Sequence, residues 1–443
     1  MRCKRAIFLL LMRAKDRRFP GYYRDFKSRE FAPLEQNLQY QRQRLEDILL
    51  YAHQHVPYYT KVLQGAGVVS DGIVRLERFD AVPVLTKDII RSRFDGLHSR
   101  ELARIRHIRN TSGGSTGEPV LLLQDLDMVT QDQAFVWVQN SFACPYPCRH
   151  LRLWGAHRDM RTGLASRLRS YVADMTLLNS FYMPPPVMER YIGRINSIRP
   201  ELIEAYAQAM TDLAKFIKAR GLKVHSPKGI ITSATTLDPR AKAMIEEAFG
   251  TVVLNRYGSR EAPALACSCR QSSQLHANIF TRYIEILDAD RRPCAPGQVG
   301  EVYVTTLNNY SMPLIRYRIG DLAVPSADTN CPCGRGMPLI ESITGRVTNI
   351  FRTPGGGLVY GGYFTQLFYY KPWVRQFQVV QEELQRITLN IALQGQPDRK
   401  DMSDIEGGIR QAMGPACAVE WNFVDEITPT ATGKRLYTIS KVR

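Results

Sequence analysis

Three glycines, two serines and two threonines fall within one short window, NTSGGSTGEPV, from Asn110 to Val120. Closely spaced glycines let a backbone turn sharply and approach a ligand without a Cβ in the way. Successive N–H groups in such a turn form a nest for an anion, and the hydroxyls add further donors. The stretch is not a P-loop of the G-x-x-x-x-G-K-[ST] kind, because Gly117 is followed by Glu118 and Pro119. Taken alone, it serves equally well as an anion cradle or as a flexible connector.

Four other stretches carry chemistry-bearing side chains beside glycine. NRYGSREA holds Tyr257, Gly258 and Glu261; IRYRIGDLA holds Asp321; ITGRVTNIF holds Arg346; TPTATGKRLYTISKV holds Lys434. The cysteines form a separate pattern. Nine are present, and four of them make two C-x-C corners, Cys267/Cys269 and Cys331/Cys333, with His276 seven residues beyond Cys269. Three thiolates and one imidazole suit tetrahedral zinc, and four protein ligands leave no open position, so such a site is structural. From spacing alone either Cys267 or Cys269 completes the set, and buried free cysteines remain the plain alternative.

These residues need elements to hold them. The VLLLQD run after the glycine window reads as a buried strand, making the window a connection between strands. KGIITSATTL and GTVVLNRYGS each read as a short apolar strand entering a polar loop. Leu38, Leu45, Ile48, Leu49 and Ala52 sit at helical spacing, and YIGRINSIRPELIEAYAQAMTDLAKFIKARG reads as two helices split at Pro200, the second ended by Gly221. From about residue 279, YIEIL, GEVYVTTL and PLIRYRIGDLA suggest antiparallel strands. Beyond a glycine-rich stretch, Ile387–Leu393 alternate as a strand, Met402, Ile405, Ile409 and Met413 share a helix face, and Val419, Trp421 and Phe423 alternate again. The expected fold is α/β: a large N-terminal α/β domain, residues 1–346, with an antiparallel β subregion, and a small mobile C-terminal α+β lid domain, residues 347–443. A chain of 443 residues exceeds one ordinary core, which agrees with two domains.

In order and rough spacing, the five glycine-bearing motifs resemble the adenylate-forming superfamily. LLYAHQHVPYYTKVL and AVPVLTKDIIRSRF are similar to its phenylacetate–CoA ligase-like branch, which includes homologues from capsular polysaccharide clusters. The resemblance covers almost the whole chain. It implies an AMP-forming carboxylate ligase: ATP activates a small-molecule carboxylic acid as an acyl-adenylate, and coenzyme A or a carrier-protein thiol, or else an amine, takes the acyl group. It also implies roles. Thr111, Ser112, Gly113, Gly114, Ser115, Thr116 and Gly117 would hold the β- and γ-phosphates of ATP; Ser233, Ala234 and Thr235 would line the adenine pocket; Tyr257, beside Gly258, would stack on adenine. Asp321 would accept hydrogen bonds from the ribose, Glu261 would bind Mg2+, Arg346 would contact the nucleotide near the hinge, and Lys434 would bridge the carboxylate and the α-phosphate. Within the branch, the placement of Cys269 matches the zinc ligands of relatives better than Cys267, giving Cys269, His276, Cys331 and Cys333 as the Zn2+ set. This chain departs from the pattern at Glu118, where many relatives carry Lys, at Thr348 and Asn349 after the hinge Arg, and at TPGGGLVYGG.

The formal charge of +17 favours anionic partners. A basic zinc-ribbon protein that binds nucleic acid explains the charge and cysteines but not the glycine window, Tyr257-Gly258-x-x-Glu261 or the Lys434 turn, so no nucleic-acid partner is expected. The run Ala6–Met12, seven apolar residues between basic ones, is too short to span a bilayer. It reads as a helix docked on the protein, with peripheral membrane contact as the alternative. A cytoplasmic location is expected, and the assembly state, a homodimer included, is open. Phe135, Trp137, Trp154, Phe181 and Tyr182 suggest the walls of a pocket for a flat, aryl acid.

Overall fold

The structure is a computed structural model that describes residues 16–112, 120–154, 174–180, 183–233, 237–346, 350–368, 371–428 and 436–442. Its centre is an eleven-stranded sheet whose two halves obey different rules. One half is parallel: Met175–Asn179 (β4), His150–Trp154 (β3), Leu202–Tyr206 (β5), Gly229–Ser233 (β6) and Val253–Tyr257 (β7) lie side by side in that order. The buried runs IITS and LIEA in these strands are what a parallel strand covered on both faces requires. One face packs on Pro185–Ile198 (α4), Ala207–Arg220 (α5) and Pro239–Phe249 (α6), through Met210, Leu213, Ile217, Ile245 and Phe249 against Leu151, Leu153, Ile203 and Val253. The other packs on Leu126–Ala143 (α3), whose Phe135, Val138 and Phe142 meet Leu202, Ile231 and Leu254. Asp125 caps that helix, accepting from Met128 N–H at 2.6 Å, an arrangement whose loss typically costs about 1 kcal/mol.

The strand β5 corrects the two-helix reading of residues 191–221. The first helix stops at Ile198, Arg199 turns the chain with a φ of 52°, and after Pro200 the run LIEAY enters the sheet between β3 and β6. Helical periodicity on both sides concealed it. A five-residue run, LIEAY, with one acid among its apolar residues carries no clear period of its own to betray a strand.

The other half of the sheet is antiparallel: Ala266–Ser268 (β8), Leu275–Ala277 (β9), Arg282–Leu287 (β10), Gly300–Thr306 (β11), Tyr317–Pro325 (β12) and Leu339–Arg346 (β13). Val302, Val304, Tyr317, Ile319 and Ile340 form a core with Leu45, Ile48, Leu49 and Ala52 of the helix Leu34–His55 (α2). Leu38 is only half-buried there, while Asn37 and Gln41 turn inward to bond the carbonyls of Gly336 and Arg282, each at 2.7 Å.

The smaller C-terminal α+β domain has Ala418–Phe423 (β16), Arg386–Leu393 (β15), Val374–Glu383 (β14) and Thr438–Ser440 (β17) in that sheet order, with Arg399–Met413 (α7) on one face. Ile387, Leu389 and Ile391 meet Ile405, Ile409 and Met413, as alternation and helical spacing required. Phe423 remains exposed at the edge. Among the described residues no helix is long and apolar enough to cross a membrane; Ala6–Met12 lie outside them.

Candidate functional site

Strands β3, β5, β6 and β7 run the same way and end at Trp154, Tyr206, Ser233 and Tyr257. Ligands of open α/β sheets bind at such carboxyl ends. Tyr257 is buried, and its hydroxyl donates to Asp321 Oδ2 at 2.9 Å. The carboxylate arrives on β12, where Asp321 stands opposite Arg346 of β13 in the ladder. Immediately after Tyr257 the chain folds back on itself. A Cβ at Gly258 would lie 2.8 Å from Ala264 N, so only glycine fits. Ser259 N–H bonds Ala262 C=O at 3.1 Å, and Ser259 Oγ accepts from Ala262 N–H at 3.1 Å. This tight turn holds Glu261 inward. Its carboxylate is 5% exposed, receives the Tyr317 hydroxyl at 3.4 Å, and has no cationic side chain beside it among the described residues. A buried carboxylate without a counter-charge is costly unless a cation joins it, so Glu261 fits a hard metal ion such as Mg2+.

The glycine window sits on a hairpin. His107–Thr111 (β1) and Leu121–Asp125 (β2) pair antiparallel, as a connection between strands requires. Ser112 extends the pairing: its N–H bonds Val120 C=O at 3.0 Å, and its hydroxyl accepts from Val120 N–H at 3.0 Å. Thr111 is exposed at the end of β1. Two amides fasten this hairpin to the Tyr257–Glu261 turn. Gln124 donates to the Arg260 carbonyl at 3.0 Å, and Asn110 donates to Gln124 Oε1 at 2.9 Å and toward the same carbonyl at 3.4 Å.

Thr111, Ser112, Tyr257, Gly258, Glu261 and Asp321 therefore belong to one connected group, and Ser233 ends the strand next to Tyr257's. Arg346 is placed by its backbone. Gly113, Gly114, Ser115, Thr116, Gly117, Glu118, Ala234, Thr235 and Lys434 lie outside the described residues. Beyond Lys434 the chain is anchored: Leu436 C=O accepts from Gln378 at 3.0 Å, and the Tyr437 ring lies 5.0 Å from that of Phe377. Asn110, Gln124 and Tyr317 escaped the sequence reading. Asn110 and Gln124 carry no signal but their places flanking the glycine window, and Tyr317 meets Glu261 only through the fold.

The aromatic wall needs correction. Phe135 and Trp137 are core residues, fully or almost fully buried against Phe26 and Phe280, and Phe19 and Tyr23, respectively. Helical alternation on α3 placed them in the interior. Of the five residues proposed for the wall, Trp154 stands half-buried at a strand end, its ring 4.5 Å from that of the half-buried Tyr206; Phe181 and Tyr182 lie outside the described residues.

The cysteine corners meet at the far side of the sheet. The ligand atoms of Cys269, His276, Cys331 and Cys333 all lie within 4.8 Å of one another. Cys269 Sγ is 3.6 Å from Cys331 Sγ, and Cys333 Sγ is 3.4 Å from His276 Nε2. A zinc tetrahedron with Zn–S near 2.3 Å has S···S edges of about 3.8 Å and S···N edges of about 3.6 Å, so the spacing fits the ion. Cys267, within strand β8 and two residues before Cys269, is not a member. Burial pushes the Cys331 thiol up to about 12, a value that metal ligation would reverse. Burial likewise pushes His276 down to about 4, keeping its imidazole neutral and ready to ligate. Gln271 N–H points at Cys269 Sγ, at 3.4 Å. The Cys331–Cys333 corner is held by Arg335, which pairs with buried Glu30 at 2.6 Å and lies 4.1 Å over the Phe142 ring.

Residues 351–441 match the family model described as the CapK C-terminal domain. The chain is 20% identical to Protein CapK of Staphylococcus aureus, over 97% of this chain and 94% of that protein. It is 28% identical to a phenylacetate–coenzyme A ligase of Thermus thermophilus, over 72% of this chain and 73% of that one. A crystal structure of a 2-hydroxyisobutyryl-CoA ligase in its postadenylation state, holding an acyl-AMP, superposes with a TM-score of 0.70 at 19% identity, covering 94% of this chain and 91% of that one.

Proposed function

The chain is a CapK-type member of the phenylacetate–CoA ligase-like branch of adenylate-forming enzymes, and from that premise we propose that it activates a carboxylic acid with ATP and transfers the acyl group to the thiol of coenzyme A. The observation that carries this reading is the convergence at the strand ends: Asp321 held by Tyr257, Glu261 held by Tyr317, and both tied through Gln124 and Asn110 to the hairpin bearing the glycine window.

In the first half-reaction an oxygen of the substrate carboxylate attacks the α-phosphorus, the Pα–O bond to the β-phosphate breaks, and pyrophosphate leaves. The residues Thr111–Gly117 grip the β- and γ-phosphates, where successive N–H donors stabilise the departing charge. Tyr257 and the Ser233–Thr235 segment flank the adenine, and Asp321 accepts from the ribose hydroxyls, with Tyr257 keeping its carboxylate oriented. Glu261 supplies a ligand for Mg2+, which neutralises phosphate charge when bound. Arg346 contacts the nucleotide beside the hinge, placed in this proposal at residues 346–347, and Lys434, on the C-terminal domain, offsets the repulsion between substrate carboxylate and α-phosphate. In the second half-reaction the thiolate attacks the acyl carbon and AMP leaves. The cluster of Cys269, His276, Cys331 and Cys333 holds Zn2+ as a structural ion, joining the β8–β9 hairpin to the loop that carries Arg335.

ATP–pyrophosphate exchange across a panel of carboxylic acids tests the reading. Exchange that depends on one acid class is expected; its absence with every acid, with ATP binding also missing, overturns the assignment.

A further inference from the structure

Beneath Trp154 and Tyr206 lies a buried polar cluster that the nucleotide roles leave unused. Glu204, on β5, stands between Arg152 of β3 and Arg256 of β7, each at 3.2 Å, with His150 at 3.5 Å. Arg256 also bonds Asn140 of α3. The Arg152 guanidinium lies 4.8 Å over the Trp154 ring, next to Tyr206. All four charged or titratable members come from three strands of the parallel half, β3, β5 and β7, with β6 between the last two, on the face toward α3.

The cluster does not balance. Two guanidinium groups face one carboxylate, and His150 is held neutral, because burial pushes it down to about 4. One positive charge is left over. Donors are also in excess, since two guanidinium groups face only Glu204, the Asn140 amide oxygen, the one acceptor nitrogen of neutral His150 and the Tyr146 hydroxyl 3.3 Å from its Nδ1. Arg256 Nε and, next to Trp154, Ser180 Oγ are buried without a hydrogen-bond partner among the described residues, while Arg152 Nε and His150 Nε2 share the one Glu204 oxygen Oε2, at 3.2 and 3.5 Å and poorly aligned. Unmet buried polar atoms are rare, and a concentration of them calls for a missing partner. The side chain of Arg152 is 32% exposed while that of Glu204 is 6% exposed, so the surplus cation is the member that solvent reaches. A network needed only for folding has no use for an uncompensated cation beside the mouth of the sheet.

We propose that Arg152, backed by Glu204 and Arg256 and flanked by Trp154 and Tyr206, receives a second carboxylate at the far end of the acid substrate. This rests on the adenylating reading and names its substrate class: acids with two carboxylates, one activated and one held. A guanidinium suits that task because it meets a carboxylate with two parallel N–H bonds. Glu204 keeps the fork oriented, and the flat body of the acid lies along Trp154 and Tyr206.

Matched acids in the pyrophosphate-exchange assay decide it: para-carboxyphenylacetate against para-methylphenylacetate, and glutarate against valerate. The diacid of at least one pair is expected to be favoured by about tenfold or more in kcat/KM, in keeping with a site built to bond a polar group. In Arg152→Met that ratio falls toward one while the KM for ATP is retained; in Arg152→Lys part of the preference survives. Equal use of diacid and monoacid by the natural protein, or an unchanged ratio in Arg152→Met, overturns the inference and leaves the adenylating reading intact. Exchange with no acid of the wider panel, with ATP binding also missing, overturns the adenylating reading itself. Should Arg152→Met fail to fold, as a melting curve reveals, the natural ratio and the Arg152→Lys variant still decide.

Discussion

The cysteine–histidine cluster and the strand-end site are both buried, both rest on residues far apart in sequence, and are built in opposite ways. In the cluster four donors meet one another at ion-binding spacing, and the groups around them, Arg335, Glu30 and Phe142, are paired among themselves. Nothing is left for a substrate. At the strand ends the Tyr257 hydroxyl donates to Asp321 and the Tyr317 hydroxyl to Glu261, and a little further along the sheet Arg152 and its neighbours hold more donors than acceptors. A polar group closed within the protein stabilises the fold; one left with spare capacity waits for a ligand.

The largest effect expected from this contrast is at Lys434. Replacing it with alanine removes a cation used only as charge develops at the α-phosphate, so exchange should fall by about a hundred- to a thousandfold, with ATP affinity held within a few fold by equilibrium binding. Equal loss of both would mean that Lys434 belongs to the binding side of the comparison.

Next in size is the cluster. Chelation, or Cys333→Ser, should lower the melting temperature by about ten degrees or more, since structural zinc contributes folding free energy directly. Elemental analysis should find about one zinc per chain. Exchange measured well below the lowered melting temperature should persist. A variant that stays folded yet loses exchange would break the contrast between closed and open sites.

The sequence read the two regions unequally, and the reason is physical. Paired cysteines with a nearby histidine pointed to the four side chains that the fold brings within 4.8 Å of one another; only the choice between Cys267 and Cys269 needed the fold to settle it. The strand-end site was legible through its glycines, where Gly258 leaves no room for a Cβ. Its braces were not: Asn110, Gln124 and Tyr317 are ordinary polar residues until the fold brings Arg260 and Glu261 to them. The same limit hid β5, whose buried residues Leu202–Ala205 show no alternation, and misplaced Phe135 and Trp137, which lie on different sides of a helix buried nearly all round.

A smaller effect probes the brace between Tyr257 and Asp321. Tyr257→Phe keeps the ring and removes one hydrogen bond, worth about 1 kcal/mol. The KM for ATP should rise about fivefold while the melting temperature shifts little. A deoxyribose analogue of ATP should lose less discrimination in the variant than in the natural protein, because an unbraced Asp321 reads the ribose less well. An unaltered KM would place the Tyr257–Asp321 pair with the closed, structural kind.

The smallest effect at neutral pH, and the most diagnostic in acid, concerns His150. Burial lowers it to about 4 from an ordinary 6.5, while Glu204, which burial alone would raise, is brought down to about 2 by Arg152, Arg256 and His150. Between about pH 6.5 and 4 the unfolded chain takes up a proton at residue 150 and the folded chain does not, so stability falls as pH falls, by at most about 1.4 kcal/mol per pH unit. Below about pH 4.5 the Glu204 contribution is lost in turn. His150→Asn removes the first loss and keeps the second. Its urea-unfolding free energy should match the natural protein's slope below pH 4 and be flatter between 6.5 and 4. Identical slopes in that upper window would show that the folded imidazole titrates like an unfolded one, so that burial does not hold it neutral and the charge count drawn for the Arg152 cluster would fail there.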